Sequence, residues 1–177
     1  MNSAAVAAVA AVACVRLGEL WLAHRNTRAL LAAGAVERGS GHYPLIVAVH
    51  ATWLAAIALT VPESAEISWP LIAVFVGLQA LRVWVLASLG KFWTTRIITL
   101  PGAPLVRRGP YRFIRHPNYL LVAAEIAVLP LAFGAWQVAL IFSALNAAVL
   151  AWRIRLENEA LAGRLPAGAH QPLTTSR

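Results

Sequence analysis

Five long stretches of this chain carry almost no charge, and that decides most of what it can become. Residues 4–23, 44–61, 68–89, 117–133 and 136–152 are apolar runs of 17 to 22 residues. At 1.5 Å per residue, about 20 residues cross a hydrocarbon core of roughly 30 Å. A soluble chain of 177 residues needs more polar surface than one that is 60% hydrophobic and 12% charged can supply. Only structures that satisfy their own backbone groups survive in lipid, so the runs are expected to be helices. The fold expected is all-α: a polytopic membrane helical bundle of about five transmembrane helices, forming one domain over residues 1–177. Only Gly134 and Ala135 separate the last two runs. A C-terminal helical hairpin with an extension, over 117–163, is therefore predicted.

Charge orients the bundle. Fifteen Lys and Arg stand against seven Glu, and there is no Asp. The loop 60–67 carries Glu63 and Glu66 but no Lys or Arg, and the 134–135 turn carries no charge. Every basic residue falls toward the opposite end, which predicts an outside N-terminus and a cytoplasmic C-terminus in a bacterial inner membrane. Met1-Asn2-Ser3 holds no positive charge ahead of the first run, which argues against a cleaved signal. The net charge of +8 lies between apolar runs rather than on a polar face. That pattern suits the lipid bilayer's anionic headgroups and an anionic cosubstrate better than nucleic acid. Cys14 is the sole cysteine, which excludes an intramolecular disulfide.

Ionisable side chains inside the runs are candidates for function, because lipid tolerates them only when they face protein or water. Arg16 and Glu19 are three apart and can pair on one helical face. Arg82 lies about two turns inside the end of the third run, with Gln79 one turn before it. Glu125 stands in the middle of the fourth run and shares a face with Asn118, seven residues earlier. It is expected to face the bundle, either paired or engaged in chemistry. Asn146, Arg153 and Glu157 recur at seven and four residues on the last run, whose helix is expected to continue past the membrane with Arg153 and Glu157 as an i, i+4 pair.

The connection 89–116 concentrates six of the fifteen basic residues and is broken by Gly102, Pro104, Gly109 and Pro110. It reads as a structured cytosolic loop. Pro117 fits the first position of the next helix. His116 then stands beside that helix's free N–H groups, where Arg112 and Arg115 add positive charge, an arrangement suited to a carboxylate or other anion. A basic interfacial collar with aromatic anchors would account for the arginines and tyrosines, though not for the order His-Pro-Asn-Tyr. Glu37, His42 and Tyr43 form a second polar cluster at the interface, and His50 follows inside the second run. His42 and His50 are eight apart, which does not suit a metal pair, so no metal site is expected.

"GPYRFIRHPNY", an apolar hairpin and "RIRLENEAL" together resemble the isoprenylcysteine carboxyl methyltransferase family, whose pattern is G-P-Y…R-H-P-x-Y followed by a final R…E-E…L helix. The resemblance covers about residues 88–161. The first half, with "HRNTRALLAAGAVERGSGHYPLIVAVH", is similar to bacterial members found beside type III polyketide synthases. The resemblance implies S-adenosylmethionine as cofactor, bound on the cytosolic side, with His116, Pro117 and Tyr119 lining its pocket and Arg153 and Glu157 closing it. Asn158 stands where the family often has a second Glu, and the tail 163–177 lacks the family's aromatic-rich ending.

The implied reaction is O-methylation of a lipophilic or prenylated acceptor: an alkylresorcinol- or alkylpyrone-type polyketide, or a prenylcysteine carboxylate. Arg115 and the helix start suit the cofactor's carboxylate, Glu157 its ammonium or ribose, and Tyr111, Tyr119 or Trp93 its adenine or sulfonium. Glu125, Arg82 and Arg153 are the catalytic candidates. Glu37, His42, Tyr43, His50 and Asn118 are the acceptor-binding candidates. A carboxylate acceptor needs no base, whereas a phenol gains from one. Two other readings remain open: a related membrane reductase holding NADPH in the same loop, and a non-enzymatic transport or interaction protein.

Overall fold

The computed structural model describes residues 1–38, 41, 43–103 and 106–162. His42 and the tail 163–177, both singled out above, lie outside them. Five helices carry the fold: α1 (Ser3–Ala32), α2 (Tyr43–Thr60), α3 (Trp69–Leu89), α4 (Pro117–Leu131) and α5 (Trp136–Ala162). Four of them are long and apolar enough to cross a membrane, and α4 is shorter. Its fifteen residues reach about 22 Å at 1.5 Å per residue. The molecule is an all-α integral membrane protein.

Two features depart from the expectation. Helix α1 continues through Ala32 instead of ending near Ala23, because no Gly or Pro interrupts the turn-forming sequence after the apolar run. The connection between α3 and α4 also holds regular structure. Its strand β2 (Ile97–Thr99) pairs antiparallel with β1 (Val36–Arg38), in the register Val36↔Thr99, Glu37↔Ile98 and Arg38↔Ile97. Three-residue strands carry too little pattern to be read from sequence.

Helix ends follow local chemistry. Asn2 caps α1, its side chain accepting from Ala5 N at 3.0 Å. Pro70 and Pro117 stand in the first turns of α3 and α4, where a missing N–H costs nothing. Gly134, at φ +71°, ends the α4 segment. Ala135 N then donates to Pro130 O at 2.9 Å, which closes the predicted hairpin.

Helix α4 packs between α3 and α5, and α2 packs on α5 and α1. The apolar core occupies one half of the bundle, where Trp53, Ile57, Val61, Phe75, Ile126, Leu129 and Phe133 interlock. Outside, Leu17, Trp21, Leu59, Trp69, Val83 and Leu140 point away from the protein, as lipid-facing side chains do. The helices are thus apolar on both faces, and their polar side chains turn inward. One end gathers Asn2, Glu63 and the α4–α5 turn, with the Met1 amine 3.0 Å from Glu63. The other end gathers the strand pair, the 89–116 connection and the last turns of α5.

Candidate functional site

At this second end a cavity of about 520 Å³ opens among the strand β2, the connection to α4, the first turn of α4 and the end of α5. That volume falls in the range of small-molecule sites, about 300–1,000 Å³. Nine of the residues singled out from sequence line it: Trp93, Tyr111, Arg112, Arg115, His116, Asn118, Tyr119, Arg153 and Glu157. Pro117 is buried at the first helical position between them.

The wall is tied together by one hydroxyl. Tyr119 donates its phenol proton to Glu157, and Arg153 Nε donates to the same oxygen at 2.8 Å. Arg153 Nη1 reaches across to Thr95 O at 2.8 Å. Arg153 and Glu157 therefore meet through Tyr119 rather than simply as an i, i+4 pair, and three separate segments are fixed to one another. The His116 ring stacks on Tyr119, centroids 5.3 Å apart and 16° from parallel. His116 makes no side-chain cap to α4, and its Nε2 is buried without a partner among the described residues. Tyr111 lies beside this network; burial first, then the nearby Glu157 carboxylate, push its phenol pKa up, so it stays a proton donor.

The turn that carries the site needs a glycine. At Gly109 the backbone has φ +57°, and a Cβ there would lie 2.0 Å from Ser88 Oγ. Arg108 Nε next to it donates to Ser88 O at 2.7 Å, pinning the connection to the end of α3.

The other candidates among the described residues do not line the cavity. Glu37 pairs with Arg96, 3.1 and 3.2 Å from its guanidinium, and Arg96 sits over the Tyr43 ring at 5.3 Å. Glu37 and Tyr43 thus meet at the cavity rim through Arg96, itself a lining residue. His50 is on α2, its Nδ1 2.9 Å from Ile46 O, and does not line the cavity.

Glu125 and Arg82 are also away from the cavity and belong to a buried ionic cluster. Glu125 Oε1 accepts from Gln79 at 2.8 Å and from Arg82 Nε at 2.9 Å. Its Oε2 accepts from Arg82 Nη2 and from Arg16 Nη2 at 2.7 Å. Glu19 completes the set, 2.8 Å from Arg16 and 3.3 Å from Arg82. The Arg16–Glu19 pair expected from their spacing forms, and it is part of a four-charge cluster joining α1, α3 and α4. Two positive and two negative charges balance, and Glu125 and Arg82 are 1% and 3% exposed.

Sequence reasoning missed Asn26. Its side chain donates to Gly90 O at 3.1 Å and Trp93 O at 2.9 Å, holding the turn after α3. The signal was present: Val12, Arg16, Glu19, Ala23, Asn26 and Leu30 recur every three or four residues, the inward stripe of one helix.

Residues 71–163 match the isoprenylcysteine carboxyl methyltransferase family. The chain belongs to this family. The match begins inside α3, so it takes in Gln79 and Arg82 as well as the cavity wall, while α1 and α2 precede it. Membership makes the protein a membrane methyltransferase in general terms. It is 38% identical over 150 residues to the Bacillus subtilis protein YpbQ, described only as uncharacterised, covering 82% of this chain and 89% of that one. A Haemophilus influenzae protein, also uncharacterised, is 28% identical over 165 residues, covering 89% and 94%. No solved structure matches the chain.

Proposed function

We propose that the protein is an S-adenosylmethionine-dependent O-methyltransferase of a bacterial inner membrane, with its N-terminus outside and its C-terminus in the cytoplasm. The observation that carries this is the cavity wall built by His116, Tyr119, Arg153 and Glu157 at the basic end of the bundle. The orientation rests on the same asymmetry: the described Lys and Arg side chains gather toward that end or in the buried cluster, and the opposite end carries Glu63 and Glu66.

The residues present fit the cofactor. His116 Nε2, Trp93 Nε1 and Asn118 Oδ1 are buried polar atoms without partners among the described residues, and all three side chains line the cavity. Arg115 and the free N–H of the first turn of α4 suit a carboxylate. Glu157 suits an ammonium or ribose hydroxyls, and the Tyr111 ring suits a sulfonium. When bound, S-adenosylmethionine supplies an electrophilic methyl group. The chain's own contribution is to hold the two reactants in line and keep water out, because alignment accounts for much of such a rate gain. Arg153 serves by tying the Tyr119 hydroxyl on α4 to the Thr95 carbonyl ahead of β2.

The acceptor we favour is a lipid carrying a phenol or enol, of the alkylresorcinol or alkylpyrone type, over a prenylcysteine carboxylate. The apolar part of the cavity wall, including Phe92, Ile98, Val106 and Phe113, suits an acyl chain. Each methylene kept out of water is worth about 0.8 kcal/mol, so such an acceptor stays in the bilayer. Calorimetry of detergent-purified protein with S-adenosylmethionine and S-adenosylhomocysteine tests the cofactor. Micromolar binding lost in His116→Ala supports the reading. Absent binding to folded protein, with NADPH bound instead, overturns it. Labelled methyl transfer to an alkylresorcinol and to a prenylcysteine then separates the acceptors.

A further inference from the structure

Two of the unpartnered atoms in the cavity wall are chemically complementary, and they come from different elements. Trp93 is 5% exposed, and its indole N–H finds no acceptor among the described residues. Its backbone is held twice, by its N–H to Gly90 O at 3.0 Å and by Asn26 on its carbonyl at 2.9 Å. Asn118 stands in the first turn of α4, fixed behind Pro117, and its Oδ1 is buried with no donor among the described residues. One wall therefore presents a donor and another an acceptor, each on a braced piece of backbone.

Leaving a buried polar atom unpaired costs about 1–3 kcal/mol. Native proteins keep such atoms chiefly where a ligand, water or chemistry uses them. A single ligand that satisfies both carries a hydrogen-bond donor and an acceptor. Adenine is such a group: its exocyclic amine donates, and the ring nitrogens beside it accept. A keto purine places an acceptor where the amine was.

We infer that Trp93 and Asn118 form the purine-edge subsite of this cavity, Asn118 Oδ1 accepting from the adenine amine and the Trp93 indole donating to a ring nitrogen. This rests on the cofactor reading above and assigns part of its specificity. Asn26 acts here as a positioning residue, since it holds the Trp93 backbone and is not itself a lining residue.

The test compares S-adenosylhomocysteine with S-inosylhomocysteine, its keto analogue, by calorimetry on wild type, Trp93→Phe and Asn118→Leu. Wild type binds the adenine compound at least tenfold more tightly. Each variant loses about tenfold toward S-adenosylhomocysteine and binds the inosine analogue no worse than wild type, so the preference collapses. A preference kept intact in both variants overturns the inference, as does an equal loss toward both ligands, which marks a role in cavity shape alone. A wild-type preference for the inosine compound also overturns it. If Asn118→Leu fails to fold, Trp93→Phe decides, because it keeps the aromatic bulk. Absence of S-adenosylhomocysteine binding by wild type is a separate result: it removes the cofactor reading itself.

Discussion

Replacing Glu125 with Leu tests whether the buried ionic cluster is one energetic unit. The carboxylate accepts from Gln79, Arg82 and Arg16 through both oxygens and is 1% exposed. Removing it leaves Arg82 and Arg16 facing one carboxylate, Glu19. Breaking a buried pair from one side costs about 3–5 kcal/mol. For a chain of this size each kcal/mol moves the melting temperature by about 2–4 °C, so the variant should melt roughly 6–20 °C lower. Arg82→Met should fall by a similar amount, because it leaves two carboxylates, Glu125 and Glu19, to share the single guanidinium of Arg16. The double variant Arg82→Met with Glu125→Leu leaves Arg16 and Glu19 as a self-contained pair 2.8 Å apart. It should therefore recover more than half of the single-variant loss, a coupling that additive behaviour of independent sites cannot give. Tryptophan fluorescence melts in detergent read all three variants. A single variant within 2 °C of wild type, or a double variant as unstable as the sum of the singles, would falsify the argument.

Other outcomes follow from the cavity wall. Arg153→Lys should weaken S-adenosylhomocysteine binding about tenfold in calorimetry, since an ammonium cannot reach Tyr119 and Thr95 together as the planar guanidinium does. Gly109→Ala should lower both melting temperature and ligand affinity, because the new methyl group meets Ser88 Oγ at 2.0 Å in a backbone region that disfavours side chains; wild-type values for both would refute the close approach. Tyr111 has a folded-state pKa raised above its unfolded value by burial and by Glu157. Its contribution is therefore present below about pH 10 and is lost as pH rises further. Melts at pH 9 and pH 11 should show a smaller alkaline loss in Tyr111→Phe than in wild type.

The site was legible where function and local sequence coincide. His116, Pro117, Asn118 and Tyr119 are consecutive, so a helix start displays them together however the bundle packs. Arg153 and Glu157 could be placed on one helical face from their spacing. That both close on the Tyr119 hydroxyl was not readable, since the contact joins residues 34 and 38 positions apart. The same holds for Glu125. Its spacing showed that it faces protein, but not which protein groups it faces.

The pattern of apolar runs and charges was enough to make this chain a helical membrane protein with its basic loop at one end. Runs of about 20 apolar residues leave the backbone no other way to satisfy itself in lipid. It also determined the hairpin, because two residues including a glycine permit little else. Packing alone fixed which charges neutralise one another inside the bundle, and it brought α1, which precedes the family-matched segment, to brace the cavity wall through Asn26. Those outcomes depend on how helices apolar on both faces rotate against each other. With no polar face to point outward, their rotation is set by where the few buried polar groups find partners.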